Sequence, residues 1–232
     1  MRFVIFLILV VMSLPSLSLA VGLDCDRAAS VQERLLCEDT TLSALDSKLS
    51  GLYTLALSII KSQKALRNKQ VAWLTYERSR CADVPCLLAV YEKRLAQLFT
   101  LLKAHTQPIG QQAEGRVDYL PGKSWYCQTT GGGSYFSVTV MAHDNHVTGS
   151  VDGVHDCGRK VWGEVEFTGH LVGHIALVEF DGGFHQKAWG RAFIAVTADR
   201  IYWHVFEQVQ AESYVPTDET VRRAKHQSSR AR

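Results

Sequence analysis

Between residues 24 and 104 the apolar positions recur in steps of three and four. Leu42, Leu45, Leu49 and Leu52, with Tyr53, Ala56 and Ile60, form one stripe that predicts an amphipathic helix. Leu66, Trp73 and Leu74 continue it. A further stripe of Leu87, Leu88, Tyr91, Leu95, Leu98 and Leu102 begins just after Pro85, which suits a first helical turn because its missing N–H costs nothing there. Asp39 and Thr40 offer N-caps for the second helix, and the break before the last helix falls at 81–86. The stretch around Ser62 has neither Gly nor Pro and admits a hinge or continuous helix.

From residue 116 the period changes to two. Phe136, Val138 and Val140 share one strand face, and Val161, Val165 and Phe167 share another. Runs at 170–180, 187–196 and 200–206 follow, separated by turn signals at 131–134, 152–153, 181–183 and Asp199. Six or seven short antiparallel strands are predicted, a meander closing toward a barrel. Gly149, Gly163, Gly173 and Gly190 fall at unequal spacings, so they read as kinks within the strands of a curved sheet, not as a repeat. Segment 105–115, with Pro108, Gly110 and Gly115, reads as a linker, and 207–232 as a polar tail made basic by Arg222, Arg223, Lys225, Arg230 and Arg232. The expected fold class is therefore α+β in two domains: a disulfide-stapled helical hairpin or bundle over 21–104, then an antiparallel β meander or barrel-like domain over 116–206.

The first residues decide how the cysteines are read. Met1 and Arg2 precede an apolar run from Phe3 to Met12, and Pro15, Ser18 and Ala20 close the segment. This is the pattern of a signal peptide over 1–20, with a run about half the ~20 residues a bilayer-spanning helix needs. No stable membrane span is expected in the mature chain, and the expected location is periplasmic or secreted. Asp24 is charged where lipoprotein sites carry small residues, so Cys25 is not expected to bear a lipid. Export makes disulfides the default fate of the six cysteines. Proximity pairs Cys25 with Cys37, Cys81 with Cys86 and Cys127 with Cys157, and the chain has no Cys-x-x-Cys.

Charge and motifs narrow the function. The chain has 232 residues, 25 Lys+Arg and 23 Asp+Glu, a formal charge of +2 that argues against nucleic-acid binding. No Gly-x-Ser-x-Gly, His-Glu-x-x-His or glycine-rich phosphate loop occurs, so no catalytic residue is assigned and no enzyme or cofactor is expected. Seven of nine histidines lie between His143 and His204. His143 and His146 could close on an ion in a turn, but His170 and His174 on one strand would stand about 13 Å apart, so no metal site is assigned. Trp125, Trp162, Trp189 and Trp203 are read first as β-domain core and second as stacking surfaces for a glycan.

One group of residues carries a resemblance. Cys25, Ala28, Glu33, Leu36, Cys37, Leu42, Leu45, Asp46 and Tyr53, followed by Gln70, Trp73, Leu74, Arg78, Cys81, Cys86, Leu87, Tyr91 and Arg94, resemble the LprI-type lysozyme inhibitor family. The likeness covers about 80 residues of the helical segment. Arg78 stands five residues after Trp73 where the family commonly has an arginine four after it, and Glu77 takes that place. The resemblance implies an exported helical domain and lysozyme as a protein partner, with inhibition by occupation of a cleft whose two carboxylates flank the scissile bond. From position near the hairpin tip, Arg78, Arg80 and Asp83 are the expected partner-binding residues. Segment 24–104 has 12 basic and 9 acidic residues, so its net charge does not steer a basic partner. The alternative is a module that binds peptidoglycan or another glycan through the β-domain aromatics.

Overall fold

The computed structural model describes residues 25–119, 133–155, 157, 160–161, 163–181, 189–208 and 215–224. The expected signal peptide, Cys127, Trp125, Trp162 and the last residues of the expected tail lie outside these. Among the described residues four α-helices come first, α1 (Val31–Glu38), α2 (Thr40–Ile59), α3 (Gln63–Tyr76) and α4 (Val84–Lys103). Nine strands follow: β1 (Ala113–Tyr119), β2 (Ser134–His143), β3 (His146–His155), β4 (Lys160–Val161), β5 (Val165–Val172), β6 (Ile175–Asp181), β7 (Trp189–Val196), β8 (Arg200–Gln208) and β9 (Asp218–Arg223).

Side chains define where the helices begin. Ser30 accepts from the Glu33 amide while the Glu33 carboxylate accepts from the Ser30 amide, a complete capping box that holds the Glu33 carboxyl below its usual range. Asp39 accepts from the amides of Thr41 and Leu42 at 2.9 Å, and Asp83 from that of Cys86 at 2.9 Å. The ambiguous stretch is a break: α2 ends at Ile59 and α3 starts at Gln63. Of the expected stripe Leu66 and Trp73 are buried, whereas Leu74 is exposed. Disulfides join Cys25 to Cys37 and Cys81 to Cys86. Cys157 is also disulfide-bonded.

Eight strands close a barrel in up-and-down order. β1 pairs with β2 on one side and with β9 on the other, and the two-residue β4 is appended to β3. Closure removes every edge that an open meander would leave unpaired. The interior is filled by Trp203, whose ring lies 5.4 Å from that of Phe180 and 5.8 Å from that of Phe167.

Three features differ from the sequence expectations. Asp218–Arg223 is not tail but the closing strand, which the sequence hides because Val221 is its one apolar residue and inserts into the barrel core. The expected linker holds the start of β1, and Ile109 is buried in that core with Gln107 bridged to Val196. Gly163 and Gly173 lie outside the strands with φ of 67° and 66°, the left-handed region; Gly149 and Gly190 do lie within strands. There a Cβ would strike the rings of Phe167 and Phe180 respectively.

The helices lean on the outside of the barrel. Ile175, Phe193, Ala195 and Phe206 point outward from β6, β7 and β8 and join the helical core of Leu52, Leu55, Leu95 and Leu98. α2 and α4 make this contact.

Candidate functional site

The hairpin tip is formed by a single 3-10 turn, Arg78–Arg80, between α3 and α4, closed by the Cys81–Cys86 bridge. Gln32 of α1 reaches across and donates to the Ser79 carbonyl at 3.1 Å and to that of Cys81. The three expected contact residues differ in their surroundings. Asp83 is the N-cap of α4. Arg78 is partly buried, with its Nε out of reach of solvent, and its charge acts on Glu33 and on Tyr91. Arg80 is exposed. Tyr76, at the end of α3 just before the turn, is 61% exposed.

Behind the tip lies a network between the helices. Tyr91 donates to Asp46 Oδ1 at 2.7 Å, and its ring meets Trp73 edge-on at a centroid distance of 5.1 Å. Burial, followed by the Asp46 charge, pushes the Tyr91 hydroxyl far above its ordinary value, so it stays a donor. Arg94, buried on α4, donates through Nε and Nη2 to Gln70 Oε1 at 3.1 and 2.9 Å. The family resemblance rests on these residues, which bond one another, while Arg94 Nη1 also donates to Gln97 Oε1 at 3.1 Å.

A second concavity, a cleft of about 590 Å³, lies where α2 meets the outer face of the barrel. Leu45, Leu177 and Phe206 contribute apolar surface; Thr41, Thr168, His146 and His170 contribute polar groups at the rim. His146 of β3 and His170 of β5 are cross-strand partners. Within the cleft Arg191 donates to Glu179 Oε1 at 2.8 Å and to Glu207 Oε2 at 3.1 Å. Lys48 of α2 is half-buried there, its ammonium pKa lowered by desolvation and then by the Arg191 charge. Glu207 reaches this face because β8 is bulged: Ala192 pairs with Val205 but Arg191 with Glu207, so Phe206 and Glu207 both face outward. Sequence reasoning missed this site, since α2 and five strands supply it. The two successive outward residues at 206 and 207, which break the alternation, were the available signal.

Other candidates are placed as follows. Trp203 is barrel core and Trp189 is 39% exposed with Arg191 over its ring. His143 and His146 flank a two-residue turn whose Asp144 has φ 53°. His174 is in the turn after β5, not on that strand, and its Nδ1 lies 3.1 Å from the Thr106 carbonyl oxygen. Among the described residues no three His, Cys, Asp or Glu side chains are grouped to hold a metal ion. No described helix is long and apolar enough to cross a membrane.

Comparison with known proteins gives a distant relationship. Lipoprotein LprI of Mycobacterium bovis (strain ATCC BAA-935 / AF2122/97) and Lipoprotein LprI of Mycobacterium tuberculosis (strain ATCC 25618 / H37Rv) are each 38% identical to this chain over 81 residues. That is 33% of this chain and 40% of theirs, so the match spans about two fifths of the relatives' length. No family model and no solved structure matches. One difference from those lipoproteins' name concerns chemistry: Cys25, in its bridge to Cys37, has no thiol to receive a lipid.

Proposed function

We propose that the chain is an exported binding protein, not an enzyme, and that it inhibits a lysozyme by protein–protein contact through the tip of its helical domain. One observation carries the reading. The residues of the family resemblance, among them Asp46, Tyr91, Trp73, Gln70 and Arg94, form an internal network, so what the resemblance carries is a scaffold that presents the tip. Two disulfides at the ends of that scaffold fit an oxidising compartment, periplasmic or extracellular.

Within the tip, Arg80 and Tyr76 are the contact residues, an exposed arginine and tyrosine of the kind that dominates interface energetics. Arg78 and Asp83 shape the turn. The test is an inhibition assay with the full oxidised chain against several lysozyme types at low and physiological salt. Slowed cell-wall lysis that is lost in Arg80→Glu, with helical circular dichroism unchanged, supports the reading. Absence of inhibition of every lysozyme at micromolar concentration overturns it.

A further inference from the structure

We infer that the cleft between α2 and the barrel is a binding site for a small sugar acid, its carboxylate held by Lys48 and its hydroxyls by the threonines and histidines of the rim. This is independent of the proposed tip contact and uses none of its residues.

Among the described residues two cations face the cleft. Arg191 is satisfied, with one carboxylate on each side, at 2.8 and 3.1 Å. Lys48 makes no hydrogen bond or ion pair among the described residues, and the charge acting on it is that of Arg191, which is repulsive. A half-buried ammonium beside a second cation is a poor arrangement for stability, and a bound anion turns it into a charge-assisted pair.

The remaining lining selects among anions. Glu179 and Glu207 also border the cleft, so a dianionic phosphate meets two like charges with only one open cation among the described residues. A single carboxylate matches the single vacant charge. A fatty acid would need an apolar channel, whereas Thr41, Thr168, His146 and His170 present groups that both donate and accept, as sugar hydroxyls require. Leu177 and Phe206 give the ring an apolar surface to lie on. The volume of about 590 Å³ is in the range of small-ligand sites. The β8 bulge, which turns Phe206 and Glu207 together toward this face, is a local distortion of the kind that re-aims side chains at functional sites.

The test is an NMR titration of the isotope-labelled full chain with three probes. N-acetylmuramic acid carries ring and carboxylate, N-acetylglucosamine the ring alone, and lactate the carboxylate alone. The expected result is that N-acetylmuramic acid shifts the amides of Lys48, Thr168 and Glu207, with at least about tenfold weaker binding for each of the other two. Lys48→Met should weaken N-acetylmuramic acid at least about tenfold, and Lys48→Arg should retain it within a few fold. Thermal melting confirms that both variants are folded. Equal binding of N-acetylglucosamine, lactate as tight as N-acetylmuramic acid, or undiminished binding by Lys48→Met each overturns the inference.

Discussion

Gly51 of α2 lies against the side chain of Phe206 on the outer face of β8, with no room between them for a methyl group. The next neighbour of that position is His204 Cδ2, at 3.4 Å. A glycine in mid-helix costs about 1 kcal/mol relative to alanine. It is tolerated here because it lets the helix backbone approach the barrel, whose outer face thereby shares the helical core.

Gly51→Val should therefore destabilise the protein in spite of its gain in helix propensity, by about 1–3 kcal/mol for overpacking. The loss should register in both halves. Far-ultraviolet circular dichroism is dominated by the helices, and tryptophan fluorescence in a Trp73→Phe background, which removes the helical tryptophan and keeps Trp203 in the barrel, reports the strands. Coincident transitions, shifted together in the variant, are expected; a helical transition that moves alone contradicts the shared core.

Tyr91→Phe removes the donor to Asp46 but keeps the ring against Trp73. The expected cost is about 1–3 kcal/mol, that of leaving a part-buried acceptor without its partner. Tyr91→Ala should cost more, because it also opens a cavity beside Trp73. Chemical denaturation of the two variants orders them, and equal costs would mean that the hydroxyl dominates.

Glu219 gives the barrel a pH dependence. Its carboxyl is half-buried and raised chiefly by desolvation, with Tyr119 and His155 opposing the shift. A carboxyl raised on folding contributes stability below its unfolded pKa and loses it as the pH climbs through the folded value. Glu219→Gln should therefore gain on the parent protein as the pH rises from about 4 to 7. Melting temperatures across that range check it; a constant or shrinking difference contradicts it.

Removal of the Cys25–Cys37 bridge should cost more than removal of Cys81–Cys86, since the loops span 12 and 5 residues. Chain entropy puts the difference at just under ~1 kcal/mol. Non-reducing peptide mapping should find Cys127 joined to Cys157, and a bridge from Cys157 to any of the first four cysteines contradicts the assignment.

Two helices were legible from their own signals, α2 from Asp39 ahead of an apolar stripe and α4 from Pro85 in its first turn; the start of α3 was not, because Ser62 makes no side-chain cap. The central strands were legible by alternation, as in Phe136, Val138 and Val140. β9 was not, because Val221 is the one apolar residue of the strand and the charged Glu219, opposite Trp203, shares its inward face. The site was less legible than the fold. Arg78, Arg80 and Asp83 are close in sequence but differ in surroundings: Arg78 is partly buried, Arg80 is exposed and Asp83 caps α4. Lys48, Arg191 and Glu207 are brought together by docking of α2 on the barrel and by a bulge in β8, two events of tertiary packing that leave little local trace.

The most direct test is isothermal titration of the full oxidised chain into lysozyme, alongside the Arg80→Glu, Tyr76→Ala and Lys48→Met variants. Saturable 1:1 binding by the parent, weakened at least tenfold by Arg80→Glu or Tyr76→Ala and unchanged by Lys48→Met, is the predicted result. Absence of binding to every lysozyme tried, or binding that Arg80→Glu and Tyr76→Ala leave intact, contradicts it.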